Sequence, residues 1–413
     1  MPPRHRTHRI QAQLLTWPLT VGASQQNHSG AMSCVLASDA LQTCTLPARS
    51  HDESTIEVRV ESFCFCRAGT ASAPAASVDV ALLRSCESLW RQLAPSTPEG
   101  TEAYLAAVSR VLSTEPLHLI TASSAPDAAA PPASRRIVGL ALVRSHANTF
   151  NIVKTTLDGI FVEAPLRGRG IGRMLVNAAK DVAARAGSLQ LTAVVPTLAA
   201  DAARFLLREK IIIRGMAFTG PTVVKPLTAS NPSASVSPAS PAASFRTVLL
   251  SSLSAPSAAD LLILRAAEPV HRQLRDTQIA PGFAAYAERL KIIGEGGGRM
   301  VVVLDGDGAD PSLSAAAPVA LGVGVFRFYT DAVSLQLKCY VDDLVTDSTR
   351  RSMGVGAALV AAIREEAVAK GVETFQLDSG VQRTQAHKFY FRSGLVIESF
   401  ACAGPLTKLK MPL

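Results

Sequence analysis

Residues 57–65 alternate apolar and polar side chains, the period of a strand with one buried face. Val80, Leu83, Cys86, Trp90 and Leu93 then recur every three or four positions, as do Leu105, Val108 and Leu112, which predicts two amphipathic helices. Strands are expected at 117–121, 137–143 and 152–162, and a helix from about residue 169 to the stop at Gly187. A strand at 189–195, a helix at 200–208 and a final strand pair follow. Beyond residue 244 the order recurs: strand 248–250, helices 261–274 and 283–293, and strands 301–304, 320–328 and 335–345. A helix at 354–370, a strand at 374–377, a helix at 382–392 and a terminal hairpin complete it. The pattern predicts an α/β (α+β) chain with a mixed, mostly antiparallel sheet flanked by helices, built twice.

The recurrence extends to individual residues. Arg167-x-x-Gly170-x-Gly172 returns as Arg351-x-x-Gly354-x-Gly356 at an offset of 184, and the same offset pairs Asp158 with Asp342, Gly187 with Gly371 and Phe205 with Phe389. Register kept over so many residues marks a tandem duplication. Residues 228–244 contain no charged or aromatic side chain and are rich in Ser, Ala and Pro, so they read as a linker. The expected division is a leader at 1–50, an N-terminal domain at 51–227 and a C-terminal domain at 245–413, which leaves room for an intramolecular pseudo-dimer.

Composition narrows the class. Of 413 residues, 48% are hydrophobic and 18% charged, enough for sizeable cores, and no apolar run is long enough to predict a membrane span. Seven scattered cysteines without paired C-x-x-C motifs argue against a disulfide framework or zinc ribbon, and Cys64 and Cys66 read as buried thiols on one strand face. A reducing, cytoplasmic compartment fits. The first 38 residues lack Asp and Glu but hold Arg4, Arg6 and Arg9, so they read as a mitochondrial or plastid transit peptide, or as a leader before a start at Met32. Asp305, Asp307 and Asp310 imitate a calcium loop, but Ala316 stands where its last ligand belongs, so no metal is expected.

The chemistry lies in Arg167-Gly168-Arg169-Gly170-Ile171-Gly172 and its copy Arg351-Ser352-Met353-Gly354-Val355-Gly356. In each, a strand ends, a basic glycine-bearing turn follows, and an amphipathic helix begins. Free amides and the positive end of the helix make that turn a phosphate site. A P-loop is excluded because no Lys-Ser/Thr follows, and a dinucleotide fingerprint because four strands precede the turn. A pyrophosphate cradle remains. The net charge of +8 gathers in part at Arg167, Arg169, Arg173, Arg350 and Arg351 around these turns, which reads as cofactor recognition and not a nucleic-acid surface.

The strand, the Arg-x-x-Gly-x-Gly turn and the helix resemble motif A of the GNAT superfamily of acetyl-CoA-dependent N-acyltransferases. Ala386, Phe389, Tyr390 and Gly394 resemble its motif B, and both halves are covered, most strongly over 340–400. The resemblance implies two tandem GNAT-like domains that use acetyl-CoA as co-substrate. Its pyrophosphate would lie on the Arg-x-x-Gly-x-Gly amides. Its pantetheine would pair with the preceding strand, near Leu344, Val345 and Thr346 or Ile160, Phe161 and Val162. An amine attacks the thioester directly, and Tyr390 protonates the leaving thiolate. The equivalent offset in the first copy lands on Leu206, and Lys210 stands for Gly394, so chemistry is expected mainly in the second copy. Asp342 or Asp343 is the expected base. A small-molecule or peptide amine would meet the helices near 261–293, where Tyr286 and Arg289 are candidates, the loop at 305–318 and the terminal hairpin. The competing readings are a non-catalytic acyl-CoA-binding scaffold or sensor and, last, a nucleic-acid binder.

Overall fold

The computed structural model describes residues 39–46, 56–65, 80–114, 117–125, 136–150, 153–223, 245–306 and 317–406. The expected linker at 228–244, residues 1–38 of the expected leader and the bulk of the loop at 305–318 lie outside them. The N-terminal repeat runs β1 (Asp39–Leu46), β2 (Ile56–Phe65), α1 (Val80–Leu93), α2 (Thr101–Thr114), β3 (Leu117–Ala125), β4 (Arg136–Ala147) and β5 (Val153–Val162). It closes with α3 (Ile171–Arg185), β6 (Gln190–Pro196), α4 (Ala200–Arg208) and β7 (Ile212–Pro221). The C-terminal repeat runs β8 (Phe245–Leu250), α5 (Ala258–Arg275), α6 (Phe283–Glu295), β9 (Gly298–Asp305), β10 (Ala320–Thr330) and β11 (Leu337–Thr346). It closes with α7 (Val355–Ala369), β12 (Thr374–Gly380), α8 (Thr384–Arg392) and β13 (Val396–Pro405). Strand β1 arises inside the stretch read as leader and pairs antiparallel with β2.

All thirteen described strands form one sheet, in the order β1-β2-β3-β4-β5-β6-β13-β7-β12-β11-β10-β9-β8. Only β5–β6 and β11–β12 are parallel. The sheet is therefore mixed and mostly antiparallel, as the sequence predicts. Side chains alternate across it: Leu140 and Leu142 pack with α1 and α2, whereas Ala141 and Val143 pack with α3. The second repeat divides the same way, Met300 and Val302 on the α5–α6 side and Val301 and Val303 on the α7 side.

The ends differ from expectation. Neither repeat closes with a strand pair of its own. Strand β7 leaves β6 and pairs with β12, from Thr374↔Pro221 to Gly380↔Gly215, while β13 pairs with β6, from Ser399↔Pro196 to Pro405↔Gln190. The two exchanged strands then pair with each other. The hairpin expected at the chain end is thus formed between repeats, because each exchanged strand meets its ladder partner on the other copy. The exchange reaches the cores: Phe218 of β7 is fully buried in the α7–α8 core, and Cys402, at the same offset of 184, is buried in the α3–α4 core.

Candidate active site

Two features of each repeat recur in space as they do in sequence. The first is a V between the parallel strands. Pairing of β11 with β12 ends at Val341↔Leu377, although β11 continues to Thr346, and pairing of β5 with β6 ends at Leu157↔Ala193, although β5 continues to Val162. Leu344, Val345 and Thr346 pair only with β10, and Ile160, Phe161 and Val162 only with β4, so one backbone edge of each stretch faces the opening V. The second feature is a bulge at the vertex. Asp158 is skipped between Leu142↔Gly159 and Val143↔Leu157, and Asp342 between Val325↔Asp343 and Phe326↔Val341. A bulge adds a residue to one strand and bends it, which drives β5 and β11 away from their parallel neighbours.

The glycine turns sit where the V opens. Gly170 (φ 92) and Gly354 (φ 86) precede α3 and α7 in the left-handed region, where a side chain is strained, and leave the first-turn amides pointing into the turn. Arg167, Gly168, Arg351, Ser352 and Met353 are exposed beside them. The second glycine of each motif makes room for a neighbouring ring. A Cβ on Gly172 would meet the Phe205 ring at 3.1 Å, and one on Gly356 the Phe389 ring at 3.3 Å. Those aromatics seat the motif B helix on the motif A helix. Ile171 and Val355 are buried beneath the turns as core anchors.

The copies diverge in detail. Ser352 takes φ 66 where the first copy has Gly168 at φ 76. Ser352→Gly should therefore raise unfolding free energy by about 1 kcal/mol, and Gly168→Ser should lower it by a similar amount, both read from urea unfolding. Arg167 folds back on its own strand end, donating to the Val162 carbonyl at 2.9 Å with its guanidinium 5.2 Å from the Phe161 ring.

Tyr390 lies on α8 against Phe218, ring centroids 5.1 Å apart, and burial pushes its phenol up to about 12, so it stays protonated at neutral pH. Leu206 occupies the matching place in the first repeat, buried in the apolar core. The two aspartates are buried and engaged. Asp342 is ion-paired with Arg327 at 2.9 Å; burial works against its charge, but the Arg327 guanidinium holds the carboxyl well below its usual range. Asp343 accepts from His271 Nε2 or shares its proton at 2.9 Å, and Arg275 and Thr149 also donate to it. Burial again opposes ionisation, and the His271 and Arg275 contacts keep the carboxyl below the ordinary value. Carboxylates held this firmly as anions are weak proton acceptors. Tyr286, a candidate for the acceptor wall, is instead fully buried against His271 Nδ1 at 3.1 Å, and half-buried Arg289 donates to the Asn148 carbonyl.

A cluster that sequence reasoning missed lies between the repeats. Arg144 pairs with Asp158 at 2.7 Å and donates to the Thr330 carbonyl, and Arg327 pairs with Asp342 and donates to the Ala147 carbonyl. This is one contact written twice about a pseudo-twofold axis. Beside it Lys154 of β5 reaches Tyr340 Oη at 2.8 Å and Asp378 at 3.3 Å, and Tyr340 donates to Asp378 at 2.6 Å. The recurrence of Lys154 as Lys338 at the offset of 184 was the available signal. Arg144, Lys154, Asp158, Arg327, Tyr340 and Asp378 line a cavity of about 340 Å³.

His146 also faces the cavity, with neither buried ring nitrogen hydrogen-bonded and Asp342 3.9 Å away. Burial, aided by the Arg327 charge, pushes it down to about 3, and burial pushes His118 down to about 4. Both lie below the unfolded value near 6.5, so in acid the unfolded chain takes up protons that the folded one refuses. Stability should fall as pH drops from about 6.5 toward 4, by at most about 1.4 kcal/mol per pH unit for each histidine. Urea unfolding at pH 7.5, 6 and 5 measures it; His118→Leu should shallow the slope.

Among the described residues, no helix is long and apolar enough to cross a membrane, and no group of three or more His, Cys, Asp or Glu could hold a metal. The described cysteines whose side chains are placed, Cys86, Cys339 and Cys402, are free and buried.

Comparison with known proteins follows the duplication. The family model for the acetyltransferase (GNAT) family matches residues 114–208 and again 286–395. No curated protein matches the chain. Among solved structures, a tandem GNAT protein from the clavulanic acid biosynthesis pathway is 15% identical with a TM-score of 0.46, covering 84% of this chain and 99% of its own. A GCN5-related N-acetyltransferase from Sphaerobacter thermophilus is 12% identical with a TM-score of 0.41, over 79% and 90%. The glucosamine N-acetyltransferase region of a fungal multi-domain GH3 β-N-acetylglucosaminidase is 12% identical with a TM-score of 0.47, over 81% of this chain and 39% of that one.

Proposed function

The chain belongs to the GNAT acetyltransferase family, matched once in each repeat, and from that premise we propose that it moves an acetyl group from acetyl-CoA to an amine, with the chemistry in the C-terminal repeat. The N-terminal repeat then holds a CoA-type ligand without turning it over. The repeats are taken to lie on either side of a linker at 228–244, the N-terminal one beginning with β1 ahead of the expected start at 51 and the C-terminal one spanning 245–413. The observation that carries this reading is the pairing of a complete V and phosphate turn with Tyr390 in one copy and with Leu206 in the other.

The residues fit such a co-substrate. The amides that open α7 suit a pyrophosphate, with Arg351 exposed beside them. The free edge of Leu344, Val345 and Thr346 suits the amides of a pantetheine arm. With the thioester at the vertex, the amine nitrogen attacks the acyl carbon, the C–S bond breaks, and the sulfur takes the Tyr390 phenolic proton. A phenol near 12 stays protonated at neutral pH and so is available to hydrogen-bond the sulfur as charge develops on it. The test is CoA release by the full chain with acetyl-CoA and a panel of amines, the acetylated product being identified by mass. Saturable acetyl-CoA binding with no product would instead favour the scaffold or sensor reading.

A further inference from the structure

The cavity between the repeats touches both vertices. On one side it is lined by Leu157, Asp158 and Val194, at the end of the β5–β6 pairing, and on the other by Tyr340, Leu377 and Asp378, at the end of the β11–β12 pairing. It lies away from the helices near 261–293, where the sequence points for the acceptor. On β12, Phe375 and Leu377 turn into the core that holds Tyr390, while Gln376 and Asp378 turn to the cavity. Tyr390 and Asp378 therefore stand on opposite faces of the sheet with the C-terminal V between them. One is placed for a leaving sulfur and the other for an arriving amine.

The cavity is unequal in the same sense as the helices. Asp378 and Val194 stand at the offset of 184, as do Tyr340 and Thr156, so the carboxylate and phenol belong to the C-terminal vertex alone. This asymmetry is independent of the exchange of Tyr390 for Leu206. The lysines diverge as well: Lys338 pairs with Asp331 of its own repeat, whereas Lys154 crosses to Tyr340 and Asp378.

We propose that this cavity is the acceptor site of the C-terminal repeat, that it takes a small polar primary amine also bearing hydroxyl or carboxylate groups, and that Lys154 of the N-terminal repeat completes it. The inference rests on the proposed acetyl transfer. The volume is that of a small-molecule pocket and too small for a folded substrate. Its lining sets Arg144, Lys154, Arg327 and Lys338 against Asp158, Asp331, Asp378 and Glu398, charges able to meet an amine and its hydroxyl or carboxylate groups, beside the apolar Leu157, Val194 and Phe218. His146 lies in the cavity wall with its ring nitrogens buried beside Asp342, 3.9 Å away. Asp378 is held less firmly than Asp342 and Asp343, being a quarter exposed with its cation 3.3 Å away. When the C–N bond forms, it takes the amine proton as the sulfur takes one from Tyr390, and solvent restores both groups. The Lys154 ammonium orients the Asp378 carboxylate from 3.3 Å and Tyr340 from 2.8 Å.

The test measures full-chain kinetics with acetyl-CoA and galactosamine, serine, hexylamine or an N-acetylated lysine peptide. Val194 is 44% exposed, so Val194→Trp fills the cavity without entering a core, and it changes only the N-terminal repeat. Galactosamine or serine should be the preferred substrate. Val194→Trp and Lys154→Met should each raise the amine KM at least tenfold, with the acetyl-CoA KM within twofold and Lys154→Arg restoring most of the loss. Asp378→Asn should lower kcat at least tenfold. Preference for the peptide or hexylamine, or full activity of Val194→Trp, overturns the inference while leaving acetyl transfer intact. No CoA release with any amine overturns both.

Discussion

Tyr390→Phe should lower kcat about 10²-fold and leave acetyl-CoA binding in place, the loss typical of removing one positioned proton donor. The substitution deletes only the hydroxyl. The ring keeps its contacts with Phe218, 5.1 Å away, and Phe389, 5.6 Å away, so the core that holds it is preserved. Two measurements separate the roles of ring and hydroxyl. Urea unfolding should stay within about 1 kcal/mol of the parent, as expected when one polar group is removed from a largely buried site. The kcat of the variant should fall with every amine tested, because the lost proton goes to the sulfur and not to the acceptor. A variant as active as the parent would assign Tyr390 to packing alone and return the leaving sulfur's proton to solvent.

The second large effect concerns folding. Residues 36–227 and 245–413 expressed apart should aggregate or self-associate, and should form a one-to-one complex when produced together. Each piece alone exposes an unpaired sheet edge: β12 loses its ladder to β7, and β6 loses its ladder to β13. Bare edges of this kind pair with whatever strand is at hand. Each piece also lacks part of its core, since Phe218 fills the space beside Tyr390 and Cys402 the core that holds Leu206. In the intact chain Phe218→Ala should cost about 3–5 kcal/mol, a large share of the roughly 5–15 kcal/mol that stabilises a typical domain. It should also depress kcat by loosening the Tyr390 ring. Size-exclusion chromatography of the pieces, alone and mixed, decides the first point. Two stable monomers would show that the strand exchange is dispensable.

Much of the molecule was legible without coordinates, for a physical reason. Helices and strands follow from the spacing of apolar side chains along a few residues, so α4 falls on the expected 200–208 and the other predicted elements lie within several residues of their places. The duplication was legible because both copies keep one register. The left-handed glycines at 170 and 354 were legible because a tight turn into a helix has few solutions. The reason for Gly172 and Gly356 was not, since Phe205 and Phe389 reach them only after a second helix packs on the first. Asp158 and Asp342 recur in the sequence, but that they bulge at the vertices and are held by Arg144 and Arg327 depends on strand register.

What the sequence alone determined is local order, its repetition and the glycine turns that open α3 and α7. The tertiary structure alone decided which strand pairs with which. A backbone ladder is nearly indifferent to its partner's identity, so nothing in β7 or β13 announces that it crosses to the other repeat. That crossing places Phe218 beside Tyr390 and closes the sheet between the repeats. Within the continuous sheet, Lys154 lies next to Tyr340 and Asp378, far apart in the chain, around one cavity.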